Sequence, residues 1–294
     1  MKGLILAGGT GSRLYPSTVA TNKHLLTIYD KPLIYYPLST LLMAGATDIA
    51  IVSSEGQLGN FRALLGNGET LGIKISYLAQ TSSNGIIGAI QAASSFLGED
   101  NALIILGDNI FFGGGIGATF RNISASNSAK VWVKKVSNPE DYGIITIDEF
   151  GVPSEIVEKP SKPQSDLAVT GLYYFPKSFS GRLIDVAPSR RNELEITSLI
   201  ETYLQQKNLD VNYLSRGTAW FDAGTPERLF MAADYVRILQ ERSGEIVGSP
   251  EEVALRNGLV SQHFFDSVVA HMPQSNYKDQ LQEVTLRDLL GGDQ

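Results

Sequence analysis

The 294-residue chain contains no cysteine. This absence excludes disulfide bonds, thiolate metal sites and cysteine nucleophiles together, and it is compatible with a reducing compartment. Histidine is scarce as well, since only His24, His263 and His271 occur. These three are too scattered to predict a zinc site, and we expect them to be packing or surface residues.

Long apolar segments are also lacking. The apolar stretch after Met1 is too short for a signal peptide, and no later segment approaches the ~20 apolar residues of a membrane helix. Lys and Arg number 24 against 31 Asp and Glu, a net charge of -7, which disfavours a broad nucleic-acid-binding face. We therefore expect a cytoplasmic protein with neither nucleic-acid nor membrane partners, in which a few placed cations meet any anionic ligand.

What the sequence does contain is an alternation of two segment types. Apolar runs that indicate strands lie at residues 3–7, 48–53, 73–78 and 102–106. Amphipathic segments that indicate helices lie at residues 36–44, 57–65 and 86–96. Strands that are apolar on both faces and separated by helices predict a parallel sheet covered on two sides, with ligands at the carboxyl ends of its strands.

The pattern changes beyond residue 130. Strand-like segments at residues 131–136, 143–147 and 169–175 predict a mixed extension of the same sheet. Helical periodicity returns at residues 195–206 and 226–240. After Ser249 the chain consists of short helical segments with polar breaks, which indicates a C-terminal helical subdomain. The sequence thus predicts an α/β fold.

A glycine-rich segment follows the first predicted strand directly. The backbone amides around Gly8, Gly9 and Gly11 can surround phosphate oxygens, and Arg13 adds a cation. Glycines alone are equally typical of an ordinary strand-to-helix turn. A dinucleotide fingerprint is disfavoured because its third glycine would fall on Leu14, and a Walker loop is disfavoured because no Gly-Lys-Ser/Thr follows. With Arg13, the segment predicts a triphosphate site.

Two aspartates follow apolar segments. Asp108 comes after residues 102–106, and Asp222 lies in a Trp-Phe-Asp-Ala-Gly sequence that we expect to be a turn. Magnesium takes hard oxygen ligands, usually one or two carboxylates together with substrate phosphates. An Asp after a strand is by itself more often a helix cap or turn residue, so the residues alone leave both interpretations open.

Several motifs occur together and in order. They are LAGGTGSRL at residues 6–14, NKHLL at 22–26, YDKPLIYYPL at 29–38 and the turn Gly107-Asp108-Asn109. In this combination the chain resembles the glucose-1-phosphate thymidylyltransferase family over essentially its whole length. The resemblance implies a Rossmann-like, mainly parallel core flanked by helices, ordered binding with the nucleotide first, and a homotetramer.

The resemblance also implies the reaction and the organisation of the chain. A dTMP group would pass from dTTP to a hexose 1-phosphate, with glucose 1-phosphate favoured, and pyrophosphate would leave with Mg²⁺ as cofactor. Residues 1–240 would form the nucleotidyltransferase core, with nucleotide-binding and sugar-phosphate-binding halves. Residues 241–294 would form a C-terminal helical extension that serves as an interface or regulatory segment.

The family's functional residues match positions of this sequence. The catalytic set is Arg13 and Lys23 for the pyrophosphate, Asp108 and Asp222 for the metal, and Lys159 for the sugar phosphate. The nucleotide-binding set is Leu6, Gly8, Gly9, Thr10, Gly11, Arg13, Gln80, Gly85 and Asp108. The sugar-phosphate-binding set is Asn109, Tyr142, Gly143, Glu158, Lys159, Val169, Thr170, Gly171, Arg191, Glu193 and Trp220. An interfacial regulatory site would use Gly113, Arg216, Glu252, Val253 and Arg256.

This chemistry places modest demands on the protein. Attack of a sugar phosphate on the α-phosphorus brings two anions together, so charge neutralisation and in-line positioning lower the barrier. The acceptor is already ionised at neutral pH, so a general base is unnecessary. A Gln amide such as that of Gln80 can pair with both a donor and an acceptor on a pyrimidine edge. Thymine and uracil share that edge and differ by one methyl group, worth about 1 kcal/mol, so dTTP and UTP both fit.

The chain departs from the family pattern on the nucleotide side of the site. His24 replaces Gln, Ser83-Asn84 replaces Pro-Asp, Ile87-Gly88 replaces Ala-Gln, and Ala223 replaces Thr. A regulatory His expected near Gly117 is absent. The phosphate and metal residues are intact, so we expect a shift in nucleotide preference or regulation and not a loss of catalysis.

Three alternatives to a glucose-1-phosphate thymidylyltransferase stay open. One is a UTP-dependent uridylyltransferase, and a second is a transferase for a modified hexose 1-phosphate. The third is a non-catalytic sugar-nucleotide sensor with the same fold. A sensor would be expected to lose an Asp or Lys of the reacting centre, and all of them are present.

Overall fold

The structure, a computed structural model, describes residues 1–81, 85–113, 116–120, 123, 126–184, 186 and 194–285. The strands are β1 (Lys2–Leu6), β2 (Thr27–Ile28), β3 (Lys31–Pro32), β4 (Asp48–Ser53), β5 (Lys74–Ala79), β6 (Ala102–Leu106), β7 (Asn109–Phe112), β8 (Ala129–Lys135), β9 (Gly143–Ile147), β10 (Pro153–Glu158), β11 (Leu167–Phe175), β12 (Leu209–Tyr213) and β13 (Ala219–Asp222). The helices are α1 (Tyr35–Met43), α2 (Glu55–Leu65), α3 (Gly85–Ala92), α4 (Ser94–Leu97), α5 (Ile116–Phe120), α6 (Ile196–Gln205), α7 (Pro226–Ser243), α8 (Pro250–Arg256), α9 (Gln262–His271) and α10 (Asn276–Glu283).

A mixed sheet runs through the centre of the molecule. In the described residues nine strands form it. Seven of them follow the order β10-β9-β11-β6-β1-β4-β5, while β8 pairs with β11 and β12 pairs with β8. Strands β6, β1, β4 and β5 are parallel to one another. Strand β11 is antiparallel to β6, so the direction of the sheet changes between these two strands. The predicted α/β fold with a parallel core and a mixed extension is confirmed.

The parallel core is covered on both faces. Alternate residues of β1 point to opposite layers: Leu4 packs with α3 and α6, whereas Ile5 packs with α1 and α2. Both side chains have no solvent exposure. Burial of such a side chain contributes about 1.5–3 kcal/mol, which explains why strands in this position are apolar at consecutive residues.

All strands and helices predicted above are present, with ends displaced by at most three residues. The helix predicted over residues 86–96 is divided into α3 and α4. The prediction for Asp222 was wrong, because this residue ends β13 and does not lie in a turn. Strand β13 pairs with β7 in a two-stranded ribbon that the sequence did not predict, and Asp222 lies opposite Asn109.

The C-terminal helices pack closely on the rest of the chain. Val253 and Ala254 of α8 belong to the apolar layer that contains α1, and the Asn257 side chain donates to the Leu42 carbonyl at 2.6 Å. A separate apolar cluster joins α8, α9 and α10. The predicted helical character is present to residue 283, and the division at residue 240 stays a prediction.

None of the helices in the described ranges has the length and apolar character that crossing a membrane requires.

Candidate active site

A cleft of about 280 Å³ opens at the carboxyl ends of β1 and β6. Twelve of the residues predicted for the site line it: Arg13, Gly85, Asp108, Asn109, Tyr142, Gly143, Glu158, Lys159, Val169, Gly171, Trp220 and Asp222. They come from five strands (β7, β9, β10, β11 and β13), from the start of α3 and from the loops beside these elements. The structure therefore brings both aspartates, Arg13 and Lys159 to one cleft, at the edge of the parallel core where ligands are expected.

The glycine-rich loop after β1 is open to solvent, and Gly9 and Thr10 are exposed. Gly9 and Gly11 have φ angles of 92° and 62°, in the left-handed region that favours glycine. The base of the loop is fixed because the Ala7 carbonyl accepts hydrogen bonds from Asn22 Nδ2 at 3.0 Å and Ser53 Oγ at 2.8 Å. An exposed loop on a fixed base is suited to presenting backbone amides to phosphates.

Gln80 contacts two of the predicted nucleotide-binding glycines. Its Nε2 donates to the Gly85 carbonyl at 3.1 Å, and a Cβ built on Gly8 would lie 2.7 Å from its Oε1. Any side chain at Gly8 would therefore collide with the amide that is predicted to read the base. Gln80, Gly8 and Gly85 form one group beside the glycine-rich loop.

Asp108 is held in an ion pair with Lys23, with 2.5 Å between Oδ2 and Nζ. Asn109 Nδ2 donates to Oδ1 at 3.0 Å. Burial acts to raise the pKa of Asp108, but the charge of Lys23 and the hydrogen bonds from Lys23 and Asn109 outweigh burial and hold the pKa well below its usual range. Asp108 is thus ionised at neutral pH.

Asp222 is paired with Arg228, whose Nη1 lies 3.0 Å from Oδ1 and 2.8 Å from Oδ2. Arg228 Nη2 donates to Asp141. Burial, assisted by the charges of Asp108 and Asp141, raises the pKa of Asp222 to about 6, although Arg228 and Arg13 favour its ionised form. The two aspartates therefore have opposite pKa shifts.

The backbone keeps these aspartates next to each other. Asp222 lies opposite Asn109 in the β7–β13 ribbon, and the Ala223 amide donates to the Asp108 carbonyl at 2.9 Å. Among the described residues there is no group of three or more His, Cys, Asp or Glu able to hold a metal. Two carboxylates, each facing a cation here, fit a hard ion such as Mg²⁺ that takes its other oxygens from phosphates and water.

Another part of the cleft is built around Asn109. Its Oδ1 accepts from Trp220 Nε1 at 2.6 Å and from the Gly171 amide at 3.1 Å. A Cβ on Gly171 would lie 2.6 Å from the Asn109 side chain, so glycine is required for this contact. The Tyr142 ring packs 5.1 Å from that of Trp220. These contacts give a rigid aromatic and amide surface of the kind that binds sugars.

Lys159 follows β10 with a φ angle of 43°, which is uncommon for a residue with a side chain. Its amide donates to the Tyr142 carbonyl at 2.9 Å. Gly143, which follows Tyr142 in the chain, lies between two side chains. A Cβ built on it would be 2.9 Å from Thr197 Cγ2 and 3.1 Å from Glu158 Oε2. The predicted sugar-side residues Tyr142, Gly143, Glu158 and Lys159 are therefore neighbours.

Some predicted residues lie elsewhere. Thr170 points away from the cleft, since its Oγ1 donates to the Trp132 carbonyl at 3.0 Å in the core. Leu6 is buried and contributes its carbonyl to the Gly107 amide at 2.9 Å. Arg191 and Glu193 lie outside the described residues, as do Ser83 and Asn84.

The predicted regulatory residues occupy two places. Gly113 packs against the backbone of residues 217 and 218, with only 2.7 Å between a Cβ built there and the Thr218 Cα, and Arg216 is exposed beside it. Glu252, Val253 and Arg256 lie on α8. Glu252 pairs with Arg256 at 3.1 Å, and burial raises its pKa to about 7. A regulatory role for this set stays a prediction.

His24, which replaces the family's Gln, is buried under the site. Its Nδ1 lies 2.6 Å from Asn22 Oδ1, and a Cβ built on Gly107 would lie 2.6 Å from its Cδ2. Burial, with the charge of Lys23, lowers its pKa to about 3, so the imidazole is neutral at neutral pH. Its position supports the expected packing role.

The sequence reasoning missed Arg228 and Asp141, both of which line the cleft. A partial signal exists for Arg228, because Thr225-Pro226 is a typical helix start and the Thr225 hydroxyl accepts from the Arg228 amide at 3.3 Å. That cap predicts that Arg228 lies in the first turn of α7, close to the end of the preceding strand. The sequence alone contains no comparable signal for Asp141.

Comparison with known proteins gives consistent matches. The family model described as nucleotidyl transferase matches residues 2–237. A glucose-1-phosphate thymidylyltransferase from Mycolicibacterium smegmatis is 39% identical over 98% of this chain and 100% of its own length. The enzyme of the same name from Neisseria meningitidis is 41% identical over 94% of this chain and 96% of its own length.

A solved structure also matches. A Bacillus anthracis protein assigned as a glucose-1-phosphate thymidylyltransferase, solved in complex with sucrose, superposes with a TM-score of 0.74 and 38% identity. The superposition covers 81% of this chain and 95% of that one. The likeness thus covers most of both chains.

Proposed function

The chain belongs to the nucleotidyl transferase family, and from that premise we propose that it is a glucose-1-phosphate thymidylyltransferase. It transfers dTMP from dTTP to glucose 1-phosphate and releases pyrophosphate. The observation that carries the proposal is the convergence of Arg13, Asp108, Lys159 and Asp222 on one cleft. Full-length similarity to enzymes with this name supports the choice of donor and acceptor.

The nucleotide binds on the wall formed by the carboxyl ends of the parallel strands. Amides of the glycine-rich loop surround the triphosphate, and Arg13 and Lys23 neutralise the departing pyrophosphate. Gln80, already oriented by Gly85, pairs with the pyrimidine edge. Because this edge is common to thymine and uracil, UTP is expected to serve as a weaker donor.

Asp108 and Asp222 would hold Mg²⁺, which when bound neutralises phosphate charge and favours displacement at the α-phosphorus. The sugar phosphate binds in the same cleft as the nucleotide. Lys159 holds the acceptor phosphate, and Asn109, Tyr142 and Trp220 line the hexose. The acceptor oxygen attacks the α-phosphorus in line, one P–O bond forms, and the bond to pyrophosphate breaks. No proton is transferred by the protein, since the acceptor is already an anion.

The proposal also covers assembly, regulation and location. We expect a homotetramer, which size-exclusion chromatography with light scattering measures as four times the 31.9 kDa chain. We also expect the predicted regulatory residues to bind a dTDP-sugar. The expected location is the cytoplasm, with which the absence of cysteine is compatible.

The activity is tested by following pyrophosphate release with Mg²⁺ for each of dTTP, UTP, CTP, ATP and GTP against several hexose 1-phosphates. The expected result is the highest kcat/KM with dTTP and glucose 1-phosphate, with UTP within about tenfold. Highest activity with UTP or with a modified hexose would favour one of those alternatives. No release with any pair would favour the sugar-nucleotide sensor.

Lys159→Ala adds a residue-level test. It should keep the fold and lose at least about 100-fold in kcat/KM, because one charge on the acceptor phosphate is removed. Lys135→Ala is a matched control, since Lys135 is 75% exposed and forms a surface bridge with Asp166. Near-normal turnover in Lys159→Ala would remove this residue from the mechanism.

A further inference from the structure

Arg228 covers both carboxylate oxygens of Asp222. Its Nη1 lies within 3.0 Å of each, while Nη2 donates to Asp141 on the other side. A carboxylate offers about four lone-pair sites, which are also the sites that a divalent ion would use. In this arrangement the guanidinium takes one site on each oxygen of Asp222 and places a positive charge beside the remaining ones.

Arg228 is held both at its backbone amide and at its guanidinium group. Its amide is fixed by the cap of α7, and its guanidinium carbon lies 5.2 Å from the centre of the Tyr142 ring. The side chain is 22% exposed. This pair therefore differs from a mobile surface ion pair, for which the contribution is often close to zero.

Arg228 has contacts with Asp141 and Tyr142 that do not depend on Asp222. Because Asp141 and the Tyr142 ring contact the guanidinium independently of Asp222, Arg228 can move off Asp222 and still be paired. The guanidinium would keep a charged partner. Its separation from Asp222 therefore costs less free energy than breaking an isolated buried ion pair.

We propose that Arg228 is a positioning residue that competes with the divalent ion for Asp222. In the metal-free chain it neutralises Asp222 and disfavours metal binding, and when the ion is bound Arg228 is held by Asp141 and Tyr142 alone. This inference rests on the proposed function, because only there is Asp222 a metal ligand. It concerns a residue that the family motifs did not indicate.

The consequence is a metal site that is weaker than its two carboxylates alone would give. Removing the guanidinium should raise the affinity for a divalent ion in the absence of nucleotide. A charge-assisted hydrogen bond of this type corresponds to about a tenfold change in an equilibrium constant. Arg228→Lys, which keeps the charge but is a shorter point donor, should give a smaller gain.

The test is a Mn²⁺ titration of the full-length, nucleotide-free protein, with free Mn²⁺ measured by electron paramagnetic resonance. Five forms are compared: wild type, Arg228→Gln, Arg228→Lys, Asp222→Asn and Arg237→Gln. Arg237 is the matched control because it is on the same helix and also pairs with two carboxylates, Asp234 and Glu241. Thermal unfolding checks that each variant is folded.

The expected result is a Kd about tenfold lower for Arg228→Gln and an intermediate Kd for Arg228→Lys. Arg237→Gln should match wild type, and Asp222→Asn should bind more weakly. If Asp222→Asn binds as wild type does, the proposed metal site fails and this inference fails with it. If Asp222→Asn weakens binding but neither Arg228 variant tightens it, the competition is overturned while the metal site stands.

Discussion

The two aspartates of the candidate site are neighbours in one ribbon, yet their surroundings are opposite in effect. Asp108 has its own cation in Lys23 and a pKa well below the usual range. Asp222 shares Arg228 with Asp141 and has a pKa raised to about 6. The ionised form of Asp108 therefore stabilises the folded chain, whereas the ionised form of Asp222 destabilises it.

The difference follows from the local balance of charge. Around Asp108, one carboxylate faces one ammonium group. Around Asp222, Arg228 is shared between the carboxylates of Asp222 and Asp141, while Asp108 adds a further negative charge and Arg13 a further positive one. Sites that must bind a cationic group often contain such unneutralised charge at a cost to stability. Under the proposed function, Asp222 would serve metal binding, and Asp108 would serve both metal binding and folding.

The largest expected effect is on turnover, where the two aspartates should behave alike. Asp108→Asn and Asp222→Asn should each lower kcat/KM by at least about 100-fold, because each removes one of the proposed metal ligands. Pyrophosphate release at saturating dTTP and Mg²⁺ measures this. Asp210→Asn is the control, since Asp210 pairs with Lys130 on β8. If only one variant lost activity, the two would not share one ion.

The second-largest expected effect is on the free energy of unfolding, for which the two aspartates should differ. In EDTA at neutral pH, Asp108→Asn should lower the free energy of unfolding by about 3 kcal/mol, because Lys23 is left as a poorly solvated, unpaired charge. The pKa of Asp108 is depressed in the folded state, so its contribution is present above pH 3.8 and is lost as the pH falls below that value. Urea denaturation at pH 7.5 measures it. An unchanged midpoint would show that the Lys23 pair contributes nothing to folding.

Asp222→Asn should change stability in the other direction. Between pH 3.8 and about 6 the folded chain keeps a proton on Asp222 that the unfolded chain has lost, so wild-type stability falls as the pH rises through this interval. The variant lacks this loss and should be more stable than wild type by about 3 kcal/mol above pH 6. Urea denaturation in EDTA at several pH values measures the difference. A variant less stable than wild type at pH 7.5 would contradict the raised pKa.

The smallest effect should come from Asp141→Asn. Removal of this charge lowers the pKa of Asp222, because Asp141 is one of the groups that raise it. In the variant, the pH interval over which stability declines should therefore be narrower than in wild type. Its upper end, set by the pKa of Asp222 in the folded chain, moves to lower pH, while its lower end at pH 3.8 does not move. The same denaturation series measures this shift. Movement to higher pH would mean that Asp141 acts mainly by holding Arg228 on Asp222.

Much of the fold could be predicted because its signals are local. The central strands β1, β4 and β6 are apolar at most positions, and segments of helical periodicity lie between them in the sequence. The β7–β13 ribbon could not be predicted, because each strand has four residues and the pairing joins segments more than one hundred positions apart. Asp222 was placed in a turn for the same reason.

The site was predicted in outline through its motifs, and the missing parts are those that depend on distant contacts. Arg228 and Asp141 are 87 positions apart, and their pairing has no local signature. Thr170 shows that a segment which resembles a binding segment of the family can contain a residue that does not face the site. Its neighbours Val169 and Gly171 line the cleft, but side chains alternate along a strand, so Thr170 faces the core.

The reversal of direction between β6 and β11 has a consequence for how specificity could change over evolution. Because β11 runs against β6, the part of β11 at the cleft is its beginning, and the chain that leads into it comes from β9 and β10. Most of the proposed acceptor side, from residue 142 to residue 171, is thus one continuous segment, to which the β7–β13 ribbon adds Asn109 and Trp220. This segment is separate from the loops after β1 and β5 that are proposed to face the donor. Exchange of that single piece between related genes would alter the choice of sugar and leave the choice of nucleotide untouched.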